Sequence, residues 1–361
     1  MQNPSIHLEP LGFNHWFQNQ VDPTQLNDFQ LARVTTVHKE NYVITNGKNE
    51  TGAEITGKLM FTANSALDYP TVGDWCYVQY FDDESFAIIH DILPRQSLLK
   101  RKTAGKNVEF QLIAANIDTA FIIQSLDFNY NLRRLERYLV MVNENDIHPV
   151  VLLSKSDLLA PTELAEKITQ IHSIMPDIQI IAFSNTNNFG IDSVKNLLKS
   201  GETFCLLGSS GVGKTTLLNN ILGKDLFETQ NVSEKDSKGK HTTTRRQLIH
   251  LENGAMIIDV PGMRELGNIG IESGISETFS EIIELSNQCR YADCSHTQEK
   301  GCAVLDALKK GIISEERYQN YLKMLKESAY NDRSYLEKRQ KDKQFGKMCK
   351  SVLKQKIKKF Q

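Results

Sequence analysis

The run Gly208-Ser209-Ser210-Gly211-Val212-Gly213-Lys214-Thr215 sets glycines at its first and sixth positions before a lysine and a hydroxyl side chain, the spacing of a loop that wraps phosphate. Glycine lets consecutive backbone amides turn inward without a Cβ clash and meet phosphate oxygens at the start of the following helix. In such a loop Lys214 reaches the β- and γ-phosphates and Thr215 ligates magnesium. Asp259, in Asp259-Val260-Pro261-Gly262, ends a later apolar run and can hold the magnesium shell, while Gly262 offers its amide to the γ-phosphate. Residues 228–246 form a polar stretch between these motifs, and we assign Thr243 of Thr242-Thr243-Thr244 as the threonine that completes the shell and orders the stretch.

A second constellation precedes the phosphate loop. Ser154-Lys155-Ser156-Asp157 follows the apolar run 149–153. Asp157 can accept hydrogen bonds from guanine N1 and its exocyclic amine, a donor pair that adenine lacks. Lys155 can lay its aliphatic stem over the purine face. After the next apolar run, Ser184-Asn185 brings backbone amides toward the guanine carbonyl oxygen.

The third is Cys289-x4-Cys294-x-His296-x5-Cys302, three thiols and one imidazole in fourteen residues, while Cys76, Cys205 and Cys349 are scattered. Four such donors make a closed tetrahedral zinc site with no position left for a substrate water, so one structural Zn2+ is expected.

The elements that must position these groups follow from pattern. The chain has 361 residues, 40% apolar and 24% charged, with a net charge of −2, which fits a soluble globular protein with more than one core. It shows no secretory pattern and no apolar run of membrane length, so a cytoplasmic protein is expected. We read residues 1–30 as an extension that gains order by docking. Residues 31–94 hold short β-type runs at 32–38, 42–45, 54–59, 75–80 and 85–92, suggesting a small all-β barrel. Residues 95–112 read as a basic connector.

Residues 113–274 alternate buried strands (119–124, 149–153, 178–183, 203–207, 246–251, 255–260) with helices (132–142, 161–174, 191–199, 213–221). Asn253-Gly254 marks a tight turn between the last two strands. The expected fold is an α/β domain with a parallel-rich sheet, helices on both faces and one antiparallel hairpin. Residues 275–361 read as a helical segment around the cysteine cluster, where the spacing of Tyr318, Tyr321, Leu322 and Leu325 suits core packing. Its basic tail, residues 333–359, suits either a polyanion contact or a solubilising surface.

Ser154-Lys155-Ser156-Asp157 resembles the Asn-Lys-x-Asp base motif of translation-factor-class GTPases, with Ser154 replacing the asparagine that braces that loop against the phosphate loop. The order of base loop, second base loop, phosphate loop, switch and Asp-x-Pro-Gly, between a β-barrel and a cysteine cluster, resembles the circularly permuted ribosome small subunit-dependent GTPases. Asn116-Ile117-Asp118 and Gly239-Lys240-His241-Thr242-Thr243 extend the likeness. The resemblance implies an OB-fold domain, a permuted P-loop GTPase domain and a zinc-binding helical domain. It also implies GTP hydrolysis with Mg2+, stimulated by the small ribosomal subunit late in that subunit's maturation, rRNA binding and a monomer with no membrane partner.

Met263 stands where many small GTPases carry a water-orienting glutamine, so slow intrinsic turnover is expected. His241 is the candidate catalytic group beside Lys214, with an rRNA contact as its other reading. Two other function classes remain at this point: a different NTPase sharing the phosphate loop, and a noncatalytic RNA-binding scaffold. For the fold, the permuted order predicts that the strands ending at Ser154 and Ser184 lie beside the strand entering Gly208, and that residues 262–275 couple the switch to the helical segment.

Overall fold

Strand β1 (Gln30–Val37) is buried from Leu31 to Thr36 and mixes apolar residues with the buried Arg33, Thr35 and Thr36. The computed structural model describes residues 7–38, 41–102, 110–224, 246–259 and 272–331. In it β1 pairs antiparallel with β2 (Tyr42–Thr45) and with β4 (Trp75–Phe81). Strand β3 (Glu50–Ile55) follows β2, and β5 (Phe86–Ile92) joins β3 to β4, closing a five-stranded barrel. Ala32, Val34, Ile44, Val78 and Ile89 fill its interior.

The strand expected over 54–59 is shifted. It ends at Ile55, and residues 57–62 form helix α2 (Gly57–Thr62), because the Thr56 hydroxyl accepts from Leu59 N at 3.1 Å and caps a helix there. The described residues of the extension, from His7 on, pack against the barrel. Leu11, Phe13 and Phe17 pack on Trp75 and Tyr77, around the short helix α1 (His15–Gln18), with Phe13 edge-on to Trp75 at 4.8 Å.

The basic connector is not an irregular link. Strand β6 (Leu98–Lys102) in it pairs antiparallel with β7 (Phe110–Ala115), which runs past its end, and Leu99, Leu112 and Ile113 are buried. Its five lysines and arginines, against one acidic residue, hide the two short apolar runs that make the ladder.

The α/β domain follows. Its strands are β8 (Thr119–Ser125), β9 (His148–Ser154), β10 (Gln179–Ala182), β11 (Thr203–Leu207), β12 (Arg246–His250) and β13 (Met256–Asp259), in the spatial order β10-β9-β8-β11-β13-β12. All neighbours run parallel except the β12–β13 hairpin. Alternate residues of each strand face opposite cores. Ile122, Val151 and Ile258 pack under helices α3 (Leu132–Asn143) and α4 (Pro161–His172), while Phe121, Leu152 and Phe204 pack under α5 (Ile191–Leu197) and α6 (Lys214–Leu222).

One expectation needs correction: β9 and β10 do not flank β11. Strand β8 lies between β9 and β11 and presents both of its edges to parallel partners. The base loops reach the phosphate loop over the ends of the strands instead of across a shared ladder.

The sheet does not stop at β12. Thr36 and Val37 of β1 pair with Gln247 and Arg246, so the barrel and the α/β sheet form one eleven-stranded sheet. Arg33 locks this junction. Fully enclosed, it donates to Gly73 O at 3.2 Å, Asn116 O at 3.2 Å and Thr203 Oγ1 at 2.9 Å, and burial pulls its guanidinium down to about 10. Asp118 accepts from Thr203 N at 2.7 Å, so Asn116-Ile117-Asp118 ties the barrel to β11.

The helical segment comprises α7 (Glu272–Thr278), α8 (Ser280–Ser286), α9 (Ala303–Lys309) and α10 (Glu315–Asn331). Tyr318, Tyr321 and Leu322 lie in its core, as their spacing implied. Among the described residues no helix is long and apolar enough to cross a membrane.

Candidate functional site

Strand β11 is buried at every residue and delivers Gly208 at its end. A Cβ on Gly208 would meet Ile123 O at 2.6 Å, so only glycine can pass this close to β8. Gly211 and Gly213 have φ of +80° and +93°, the left-handed conformations that bend the loop back toward the start of α6. Lys214 opens α6, with Nζ donating to Gly208 O at 2.8 Å and Ser209 O at 2.7 Å, so the ammonium sits over the loop it must serve. Val212 is buried, while Ser209, Ser210 and Thr215 retain exposure.

Asp259 pairs in register with Leu206, which brings its carboxylate to the mouth of the same loop. Burial raises its pKa, and the nearby Lys214 charge opposes that rise. Thr215 near the start of α6 and Asp259 at the end of β13 carry hard oxygen donors, the ligand type that magnesium takes. Gly262, Met263, His241, Thr243 and the basic tail lie outside the described residues.

The first base loop leaves β9 at Ser154, which has no exposure, and Ser154 Oγ donates to Val212 O at 2.7 Å. Lys155 follows at φ +59°, and its Nζ pairs with Asp127 Oδ2 at 2.6 Å. Burial works against the Asp127 charge, but hydrogen bonds from Lys155, Ser125 and Asn129 outweigh it and hold the carboxyl below its ordinary value. Asp157 lies exposed in the turn that follows, free to face a base.

Ser156 N donates to Phe183 O at 3.1 Å and so joins the two base loops. In the second, Ser184 Oγ accepts from Thr186 N at 3.1 Å and shapes the turn, and Asn185 Nδ2 donates to Gly213 O at 3.2 Å. The residues read from sequence as the phosphate and base sites therefore meet at one end of the sheet. Sequence reasoning missed Asp127 and Asn220; the Asp127-x-Asn129 turn directly after β8 was the available signal for the first.

The cysteine cluster is a separate centre. Its four donor atoms lie within 4.8 Å of one another. Cys289 Sγ is 3.8 Å from Cys302 Sγ and 3.6 Å from His296 Nδ1, and Cys302 Sγ is 3.4 Å from that nitrogen. Bonds of about 2.3 Å to sulfur and about 2.0 Å to nitrogen in a tetrahedron put neighbouring donors roughly 3.5 to 3.8 Å apart, so the set fits a metal ion. Tyr318 Oη donates to His296 O at 2.5 Å and holds this residue at φ +58°, while Cys302 begins α9 and accepts from Leu305 N at 3.4 Å.

The sequence model of the RsgA GTPase family matches residues 92–269. The small ribosomal subunit biogenesis GTPase RsgA 2 of Vibrio parahaemolyticus is 38% identical over 357 residues, covering 98% of this chain and 95% of that protein. The crystal structure of YjeQ from Thermotoga maritima superposes with a TM-score of 0.61 at 25% identity, over 83% of this chain and 98% of that one. YloQ, described as a circularly permuted GTPase, shares the fold with a TM-score of 0.57 at 22% identity, over 83% of this chain and 94% of that one. With its phosphate loop entered from β11, after both base loops, the chain belongs to the RsgA GTPase family and is a GTP-hydrolysing enzyme on a circularly permuted domain.

Proposed function

We propose that this enzyme is a small-subunit assembly factor whose GTP hydrolysis, stimulated by the small ribosomal subunit, times its release late in maturation of that subunit. The observation that carries the nucleotide part is the meeting of base and phosphate loops through Ser154 Oγ and Val212 O at 2.7 Å. The ribosomal part rests on relatives named small ribosomal subunit biogenesis GTPases that match nearly the whole chain.

In this reading Asp157 selects guanine and Lys155 covers the base, with the Ser184-Asn185 backbone at the carbonyl edge. The amides of 208–215 and Gly262 hold the phosphates. Lys214 stabilises charge on the phosphoryl oxygens in the transition state. Magnesium bound with GTP would neutralise phosphate charge, and Thr215, Asp259 and Thr243 would hold it. His241 orients the attacking water, a role that Met263 cannot fill.

Cys289, Cys294, His296 and Cys302 hold one structural zinc that organises the helical segment for docking. The barrel and the basic tail contact rRNA phosphates, and the factor works as a cytoplasmic monomer. Turnover of GTP and of ATP, each with and without purified small subunits, tests the proposal. Strong subunit-dependent GTP turnover is expected; equal ATP use, or no stimulation, overturns it.

A further inference from the structure

A loop that cradles phosphate must turn its carbonyls away from the anion. Two successive carbonyls here are held by the base loops: Val212 O accepts from Ser154 Oγ at 2.7 Å and Gly213 O from Asn185 Nδ2 at 3.2 Å. The amide of Asn185 is itself oriented, because its Oδ1 accepts from Asn220 Nδ2 at 3.0 Å in the second turn of α6. A Cβ on Gly213 would lie 2.9 Å from Asn185 Nδ2, so the contact also requires glycine at 213.

In a planar trans peptide the N–H points opposite the C=O. Holding Val212 O and Gly213 O outward therefore aims the amides of Gly213 and Lys214 toward the inside of the loop. Gly213 O also takes the first helical bond of α6, from Leu217 N at 2.9 Å, so Asn185 occupies its second lone pair. Serine has one hydroxyl donor where the asparagine of the usual base motif has an amide with two. Ser154 spends its donor on Val212 and has none left for Gly213.

We infer that Asn185 is a positioning residue for the nucleotide: its carboxamide supplies the brace on Gly213 that Ser154 cannot, and it acts on the phosphate loop and not on the base. Asn220 acts through Asn185, so the second base loop and α6 hold the phosphate loop together. The inference rests on the reading of residues 208–215 as the phosphate site.

Stopped-flow release of GDP labelled on its ribose with a fluorophore, from the full chain, tests it. Loss of one hydrogen bond of this kind predicts release about tenfold faster for Asn185→Ala and a smaller gain, about threefold, for Asn220→Ala. The double variant should release no faster than Asn185→Ala alone, since both lie on one path. The ratio of GDP to 6-thioguanosine diphosphate affinity should be unchanged in Asn185→Ala, because the two differ only at the carbonyl edge, which this amide does not touch.

Unchanged release in Asn185→Ala overturns the inference, and so does a changed GDP to 6-thioguanosine diphosphate ratio, which would place the amide on the base. Additive effects in the double variant overturn the role of Asn220. A merely structural role would lower the melting temperature of nucleotide-free Asn185→Ala and leave release as in the parent. Lys214→Ala separates the two levels: if it binds labelled GDP as tightly as the parent, the phosphate-site reading fails. If it loses binding while Asn185→Ala behaves as the parent, only the present inference fails.

Discussion

Arg317 Nη1 donates to Glu136 Oε1 at 2.9 Å, joining α10 of the cysteine-bearing segment to α3 of the α/β domain. Glu136 has no exposure and also accepts from Arg133 and Asn320. Arg317 donates to Thr278 O at 2.7 Å, and its guanidinium lies 4.5 Å from the centre of the Phe279 ring. The next residue of α3 after Glu136, Arg137, grips Glu327, ten residues beyond Arg317 on α10, through two bonds of 2.7 and 2.9 Å. Helix α3 begins just after the loop that carries Asp127, the partner of Lys155. The loop that enters α3 thus touches the first base loop, and α3 itself packs against the cysteine-bearing segment. Residues 262–275 were expected to make this coupling; most of them lie outside the described residues, and the link the structure describes runs through α3.

Removing Glu136 takes the shared acceptor from Arg317, Arg133 and Asn320, while Glu281 still pairs with Arg317. Glu136→Ala should cost about 3 kcal/mol of stability, read from urea unfolding, the low end of the range of about 3 to 5 kcal/mol for a broken buried pair. A loss well below that range would show that the network relaxes.

Gly274 of α7 packs directly against the backbone of α3. A Cβ there would meet Val140 O at 2.1 Å, and Gly274 N donates to the Glu144 carboxylate at 2.8 Å. Gly274→Ala should force the two helices apart at a cost of about 1 to 3 kcal/mol, with faster amide exchange in α7 and the end of α3. Parent-like exchange in both would refute this.

Metal content discriminates the four-donor reading. The purified chain should carry one zinc by elemental analysis, and Cys302→Ser should lose most of it along with helical circular dichroism, since Cys302 also caps α9. Guanine nucleotide binding should survive, because the two cores that flank the α/β sheet are built mainly without the helical segment.

Asp127 makes a pH prediction with a defined sign. Its carboxyl lies below the ordinary value of 3.8, so its contribution is complete above that pH and is lost as pH falls through the lower folded value. The stability gap between parent and Asp127→Asn should be constant near neutrality and close in acid below 3.8. A gap that closes already at mild pH would refute the Lys155–Asp127 pairing as its source.

Base choice should reverse with Asp157. Asn offers a donor where Asp157 offers only acceptors, which suits the carbonyl that xanthine carries in place of the guanine amine. Asp157→Asn should weaken GTP about 100-fold or more and improve xanthosine triphosphate, measured as affinities by competition. Equal loss for both nucleotides would remove Asp157 from the base site.

The glycine spacing of the phosphate loop, the donor set of the cysteine cluster and most strands of the α/β domain were legible because each depends on neighbours within a few residues. Strand 203–207 was read to the residue, since an apolar run ending in a glycine loop has sharp local limits. The hairpin of β6 and β7 was not legible, because its charged residues mask two short apolar runs. The shift of β3 turned on Thr56, whose hydroxyl can serve a strand or cap a helix with equal local sense.

Side-chain partners across the fold belong to another class of information. Ser154 and Val212 are 58 positions apart, and Asn185 and Gly213 are 28 apart; nothing in either segment names the other. The same holds for the pairing of β1 with β12, which fuses barrel and α/β sheet through exposed-edge hydrogen bonds that carry no side-chain signature. Local spacing was enough to mark the candidate phosphate, base and metal-ligand residues. Which side chain braces which carbonyl depended on strand order, because only closure of the sheet brings loops distant in sequence within hydrogen-bonding reach.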